Sequence, residues 1–211
     1  MALKNAALFG VTLSATCAAQ AAPDVAVAWN DGSTQRGVVR GMSSLSPWLF
    51  ETPPIEIGRD VVLRFARGTL HAVSRAEGSI SAINPDSWTV TRTYQLGPAS
   101  QPEDIAVVSA EVAYVTRAAA THLLRLDLSS GAATEVVDLS GFADPDGVPD
   151  LGMMAAFDGR LFVQVRRLAS GLAPVPPALL AVVDVATEEL VDVDPNSPGT
   201  QAIELAGTAP G

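Results

Sequence analysis

The sequence repeats itself at a spacing of roughly 42 residues, and this constrains its fold more than any other feature. Residues 61–75 have a counterpart in residues 104–117, and a third copy runs from about Met153 to Val165. Repeats of about 20 to 50 residues indicate solenoids, propellers or arrays, in which each copy is one supersecondary unit. The repeat unit therefore decides the architecture.

Each copy continues with a strand that ends in a polar turn and then with one more strand. The polar-turn strands are residues 80–85, 123–127 and 180–184, and the last strands are residues 88–96, 134–139 and either 190–193 or 202–205. Val, Ile and Thr dominate these segments and Gly or Pro interrupts them, which excludes a helical solenoid. Four short strands per repeat are typical of propeller blades. The sequence predicts an all-β fold of four-stranded antiparallel β-propeller blades.

The repeats divide the chain into about three and a half blades. Residues 58–101, 102–148 and 149–207 form three repeats, and residues 22–57 form a partial N-terminal blade. In the third repeat, residues 169–178 are rich in Pro and Ala and are predicted to form a long loop. So few blades leave sheet surface uncovered in an open ring. We expect either a fragment of a longer chain or a chain that self-associates.

The N-terminus has the layout of an export signal. Lys4 supplies a positive charge, residues 6–15 are apolar, and Ala19-Gln20-Ala21 ends the segment with small residues. Residues 1–21 are predicted to be a signal peptide, and the protein to be periplasmic, extracellular or on the cell surface. The single cysteine, Cys17, leaves a lipid anchor as an alternative.

The charge balance is strongly acidic, with 13 Lys and Arg against 23 Asp and Glu and a net charge of −10. Such a surface repels phosphate backbones, so nucleic acid and anionic membranes are not expected partners. No apolar run reaches the roughly 18 residues that a membrane-spanning helix needs. We expect no transmembrane segment in the mature chain.

The second repeat resembles the repeat of the YVTN-type β-propellers. The resemblance lies in residues 102–108 and in Tyr114-Val115-Thr116-Arg117, where Arg117 stands in the place of the family's Asn. Residues 83–90 resemble the family's turn between the third and fourth strands, with Asn84 in place of Asp. The resemblance covers about residues 58–207.

This resemblance implies an exported bacterial protein, a ring of seven blades, and a binding or scaffold role with a protein, peptide or glycan ligand. Some similar propellers hydrolyse lactones or hold metals or redox cofactors. No catalytic motif from those branches can be matched to this sequence. The expected function is a non-catalytic binding or scaffold protein, and the alternative is a metal-dependent propeller enzyme such as a lactonase-like hydrolase.

Three arginines end equivalent strands of the three repeats, namely Arg75, Arg117 and Arg166. Equivalent positions of a propeller surround one axis, so these guanidinium groups are candidates to bind a carboxylate or phosphate by paired hydrogen bonds. Glu103 and Asp104 lie nearby in the repeat frame, which leaves structural ion pairing as the alternative.

Three carboxylates lie within seven residues at Asp144, Asp146 and Asp150, around Gly147. Oxygen ligands of this kind suit Ca²⁺, although the spacing does not match an EF-hand. The alternative is an interblade loop in which the Asp side chains cap backbone N–H groups. No other metal or cofactor is expected.

Overall fold

The computed structural model describes residues 25–31, 36–45, 49–169 and 173–205. The predicted signal peptide and Cys17 lie outside these residues. The described chain is all-β apart from one short 3-10 helix, Ser140–Phe142. The strands are β1 Val25–Asp31, β2 Arg36–Met42, β3 Ile55–Ile57, β4 Val61–Ala66, β5 Thr69–Ser74, β6 Ser79–Asn84, β7 Thr89–Gln95, β8 Pro102–Val107, β9 Val112–Arg117, β10 His122–Asp127, β11 Ala133–Asp138, β12 Leu151–Phe157, β13 Arg160–Val165, β14 Leu168–Ala169, β15 Ala173–Pro174, β16 Ala178–Asp184, β17 Glu189–Leu190 and β18 Ile203–Leu205.

These strands form a series of antiparallel sheets in chain order. The first sheet is β1-β2-β3, the second β4-β5-β6-β7 and the third β8-β9-β10-β11. The fourth sheet is β12-β13-β16, and both β17 and β18 pair with opposite ends of β16. The fourth-strand position of the last repeat, which the sequence left open between two segments, is therefore filled by both. This confirms the prediction of an all-β fold with four-stranded blades.

Part of the insertion in the third repeat is strand, where the sequence predicted a long loop. Strands β14 and β15 pair in an antiparallel arrangement, with Leu168 opposite Pro174 and Ala169 opposite Ala173. Backbone hydrogen bonds satisfy polar groups that an open loop would leave to water, and this explains the short strands.

The first sheet corresponds to the second, third and fourth strands of a blade. A Cβ added to Gly37, early in β2, would lie 2.1 Å from the Gly58 carbonyl oxygen just after β3. A Cβ added to Gly78, just before β6, would lie 1.8 Å from the Gly97 carbonyl oxygen just after β7. The same close approach at both places equates β2 with β6 and β3 with β7. Strand β1 then takes the second-strand position, and β2 is its one partner among the described strands.

Apolar side chains between successive sheets hold the series together. We call the face of a sheet that packs on the following sheet its front face, and the opposite face its rear face. Alternation along a strand gives each sheet one front and one rear set of side chains. The second sheet's front face packs Val73, Ile80 and Tyr94 against Ile105 and Val115 of the third sheet's rear face.

The other two interfaces between sheets are also formed by buried apolar side chains. Between the first and second sheets lie Val39, Leu70, Ala72, Ile83 and Trp88. Between the third and fourth sheets lie Tyr114, Leu123, Val137, Leu139, Leu151, Leu161, Val163 and Val183. Since these side chains are buried, burial of apolar area between sheets is the main stabilising contribution. No described helix is long and apolar enough to cross a membrane.

Candidate functional site

The first strands of the second, third and fourth sheets are joined by a buried carboxylate, Asp104 in β8. Its side chain is fully buried and accepts hydrogen bonds from two sheets. Arg64 of β4 approaches with its Nε 2.7 Å from Oδ1 and its Nη2 3.1 Å from Oδ2, so the pair is bidentate. From β12, the backbone N–H of Met154 donates to Oδ2 at 2.8 Å. Asp104 therefore ties three sheets together at their inner strands.

Two of the three predicted arginines meet beside this network. Arg75 follows β5 of the second sheet and Arg166 follows β13 of the fourth sheet. Their Nη1 atoms lie 3.5 Å and 3.3 Å from Oε1 and Oε2 of Glu103, which belongs to β8 of the third sheet. Each guanidinium takes one oxygen, so Glu103 bridges them. We call Arg75, Glu103 and Arg166 the arginine bridge.

The arginine bridge is partly open to solvent on its cationic side. The side chain of Glu103 is 10% exposed, whereas those of Arg75 and Arg166 are 33% and 28% exposed. The Nε of Arg75 is buried and has no hydrogen-bond partner among the described residues. Arg166 also donates from Nε to the Asp150 carbonyl oxygen at 3.1 Å, which fixes its orientation. The bridge thus holds Glu103, and Asp60 Oδ2 lies 3.8 Å from Arg75 Nη1 on the other side of that guanidinium.

Arg117 does not join this group. It ends β9, but its Nη2 donates to Glu135 of β11, in the outer strand of its own sheet. That partner lowers the pKa of the Glu135 carboxyl, first through the hydrogen bond and then through the charge of the guanidinium. The structure brings together Arg75 and Arg166 but not Arg117.

The three predicted calcium ligands lie in one loop, where their oxygens accept backbone hydrogen bonds. Asp144 Oδ1 accepts from the N–H of Asp146 at 3.0 Å, and Asp146 Oδ1 accepts from the N–H of Val148 at 2.8 Å. Asp150 Oδ2 accepts from the N–H of Leu168 at 2.7 Å. Nowhere in the described ranges do three or more His, Cys, Asp or Glu side chains form a group that could hold a metal ion. The hydrogen bonds are those of the capping-loop alternative, Asp144 Oδ2 is buried without a hydrogen-bond partner among the described residues, and the calcium site stays a prediction.

At the opposite end of the sheets, a second polar contact joins the third and fourth sheets. Tyr114 donates its hydroxyl to Glu188 Oε1 at 2.8 Å, and Arg125 Nε lies 3.2 Å from the same oxygen. These residues line a cleft of about 510 Å³. Burial, followed by the hydrogen bond to Glu188, raises the pKa of Tyr114 to about 12. Sequence inspection missed this site because Glu188 lies in a turn that carries no motif.

The raised pKa of Tyr114 predicts a pH effect on stability. Unfolded tyrosine titrates near pH 10, so between pH about 10 and about 12 the unfolded chain loses this proton while the folded chain keeps it. We expect the free energy of unfolding to fall through that window. Urea unfolding at pH 9 and pH 11.5 should show a smaller loss for Tyr114→Phe than for wild type. An equal loss in both proteins would contradict the assignment.

No protein-family model matches the chain, and no curated protein sequence matches it. Solved structures do resemble it in fold. Hydrazine synthase of Kuenenia stuttgartiensis is 11% identical with a TM-score of 0.54, covering 81% of this chain and 43% of that chain. A protein of unknown function from Bacteroides caccae is 13% identical with a TM-score of 0.51, covering 85% and 62%. The WD40 domain of Toxoplasma gondii coronin is 10% identical with a TM-score of 0.50, covering 85% and 43%.

At these identities the likeness establishes the fold alone. Together with the repeated antiparallel sheets it shows that the chain is built as a β-propeller. The chain spans between 43% and 62% of the length of these three structures.

Proposed function

We propose that this protein is an exported, non-catalytic propeller that binds an acidic group of a peptide or glycan at the arginine bridge. The observation that carries the proposal is the meeting of Arg75 and Arg166, from two different sheets, around one carboxylate. Export rests on the predicted signal peptide, residues 1–21. The YVTN-type resemblance supports the same class of function.

The chemistry of the bridge suits a carboxylate ligand. Guanidinium groups bind carboxylates through strong charge-assisted hydrogen bonds. Arg75 and Arg166 share Glu103, and Arg75 Nη1 also lies 3.8 Å from Oδ2 of Asp60, so an acidic ligand would compete with these two carboxylates. An incoming acidic group can use the solvent-exposed sides of Arg75 and Arg166, and Glu103 then acts as an internal competitor.

Competition by Glu103 gives the sharpest test. The probe is a fluorescein-labelled octaglutamate peptide, measured by anisotropy at low ionic strength, with octaglutamine as the uncharged comparison. We expect Glu103→Gln to bind octaglutamate about 10-fold more tightly than wild type. The substitution removes a negative charge that repels the peptide's carboxylates, and this contributes on the order of 1.4 kcal/mol to binding. The double variant Arg75→Gln/Arg166→Gln is expected to lose binding.

Two matched variants control this experiment. Glu135→Gln removes the carboxylate paired with Arg117, and Arg92→Gln removes an arginine at the opposite end of the second sheet. Both should bind as wild type does. Absence of octaglutamate binding, or equal binding by Glu103→Gln and wild type, would reject the bridge as a ligand site. Circular dichroism melting of each variant identifies any that has unfolded.

A further inference from the structure

Each described interface between sheets joins a front face to a rear face, and two such faces have no partner sheet in the described part of the chain. One is the rear face of the first sheet, since Ala26, Ala28 and Val39 turn toward the second sheet. The alternate residues Val27 and Trp29 therefore point away from it. The other is the front face of the fourth sheet, whose rear face packs on the third sheet.

The free rear face is apolar and aromatic. Trp29 is 38% exposed and stacks on Phe50, with ring centroids 5.2 Å apart. The guanidinium of Arg40 lies 4.6 Å from the centroid of the Phe50 ring. At its margin Arg36 pairs with Glu56, so the charges there are compensated.

The free front face is also apolar. Register places Phe162 beside Ala155 and Val182, and Leu180 beside Ile203, all on the side away from the third sheet. Phe157 on the same face is 75% exposed. At the margin Arg160 pairs with Asp184, which compensates their charges. Tyr114, at the third-sheet position that corresponds to Phe162, is buried in a sheet interface.

We infer that two copies of this chain associate head to tail, each placing the front face of its fourth sheet on the rear face of the other's first sheet. A front face already packs on a rear face three times within the chain, and the contact between copies would extend this same arrangement. The described part of each copy supplies four blade sheets, so two copies supply eight, which lies within the four to eight blades of known propellers. Two identical heterologous contacts then close one ring.

The closed ring predicts a dimer in solution, measured by light scattering coupled to size-exclusion chromatography. Trp29→Glu on the rear face and Phe157→Glu on the front face should each shift the population to monomer. Both residues lie within the proposed contact, and a charge placed there should weaken association by at least about 30-fold. Phe65→Glu serves as the control, because Phe65 is 67% exposed and lies opposite Leu70, on the side of the second sheet that packs on the first sheet. It should remain dimeric.

Mixing the two monomeric variants tests the head-to-tail arrangement itself. The unaltered front face of Trp29→Glu can bind the unaltered rear face of Phe157→Glu, so an equimolar mixture should recover dimers. A contact between two identical faces would give no such recovery, and one of the two variants would stay dimeric alone. That result, a monomeric wild type, or polymers in place of a dimer would overturn the inference. Thermal melting confirms that each variant is folded.

Discussion

Replacing Asp104 by asparagine is expected to lower the free energy of unfolding by about 3 kcal/mol. The asparagine has nearly the same shape but no charge. It leaves the guanidinium of Arg64 without its bidentate carboxylate partner. Its side chain has one acceptor oxygen in place of two, so it cannot accept from Arg64 at both positions and also from the Met154 N–H. Because these groups come from three sheets, the loss acts on the whole inner row of strands. Urea denaturation at pH 7 measures it.

An exposed ion pair provides the matched control. Arg36 and Glu56 are paired at the surface, with side chains 64% and 57% exposed. Solvent-exposed pairs of this kind contribute about 0 to 1 kcal/mol, so Glu56→Gln should change stability little. If Asp104→Asn and Glu56→Gln had similar effects, Asp104 would not be the link between the sheets.

Replacing Gly78 by alanine is expected to destabilise the protein by a comparable amount, about 3 kcal/mol. Two causes add together here. The backbone of Gly78 has φ +61°, which disfavours a side chain, and the new Cβ would lie 1.8 Å from the carbonyl oxygen of Gly97. Because that atom belongs to the backbone, β6 and the segment after β7 must separate. Urea denaturation measures the loss.

Gly68→Ala separates the two causes. Gly68 has φ +75°, but no atom lies within 4 Å of the position of an added Cβ. It should lose only about 1 kcal/mol, the cost of the backbone conformation. Equal losses at Gly68 and Gly78 would show that the close approach between the strands does not occur.

Much of the fold was predictable from local patterns. Strand β9 and the turn before β7 follow from β-branched residues and polar turn residues that recur with the repeat. The fourth strand of the last sheet could not be assigned to one segment from sequence, because residues 202–205 offered an alternative to residues 190–193. The structure uses parts of both, since β16 is long enough to pair with each at a different end.

The candidate site was predictable only in part. The repeat predicts Arg75, Arg117 and Arg166 as candidates because they end equivalent strands, and the structure places them at the same end of three sheets. Whether each arginine side chain pairs with a neighbouring sheet or with its own sheet depends on the position of the nearest carboxylate. Glu103 attracts Arg75 and Arg166, whereas Glu135 attracts Arg117.

By itself the sequence determined the repeat, the strand-rich unit and the candidate residues, because hydrophobic alternation and turn chemistry act over a few neighbouring positions. Only the tertiary structure decided which side chains meet across sheets. The Asp104 network, the arginine bridge and the two free faces all join residues far apart in the chain. Their contacts depend on how the sheets pack, and local sequence patterns do not determine that packing.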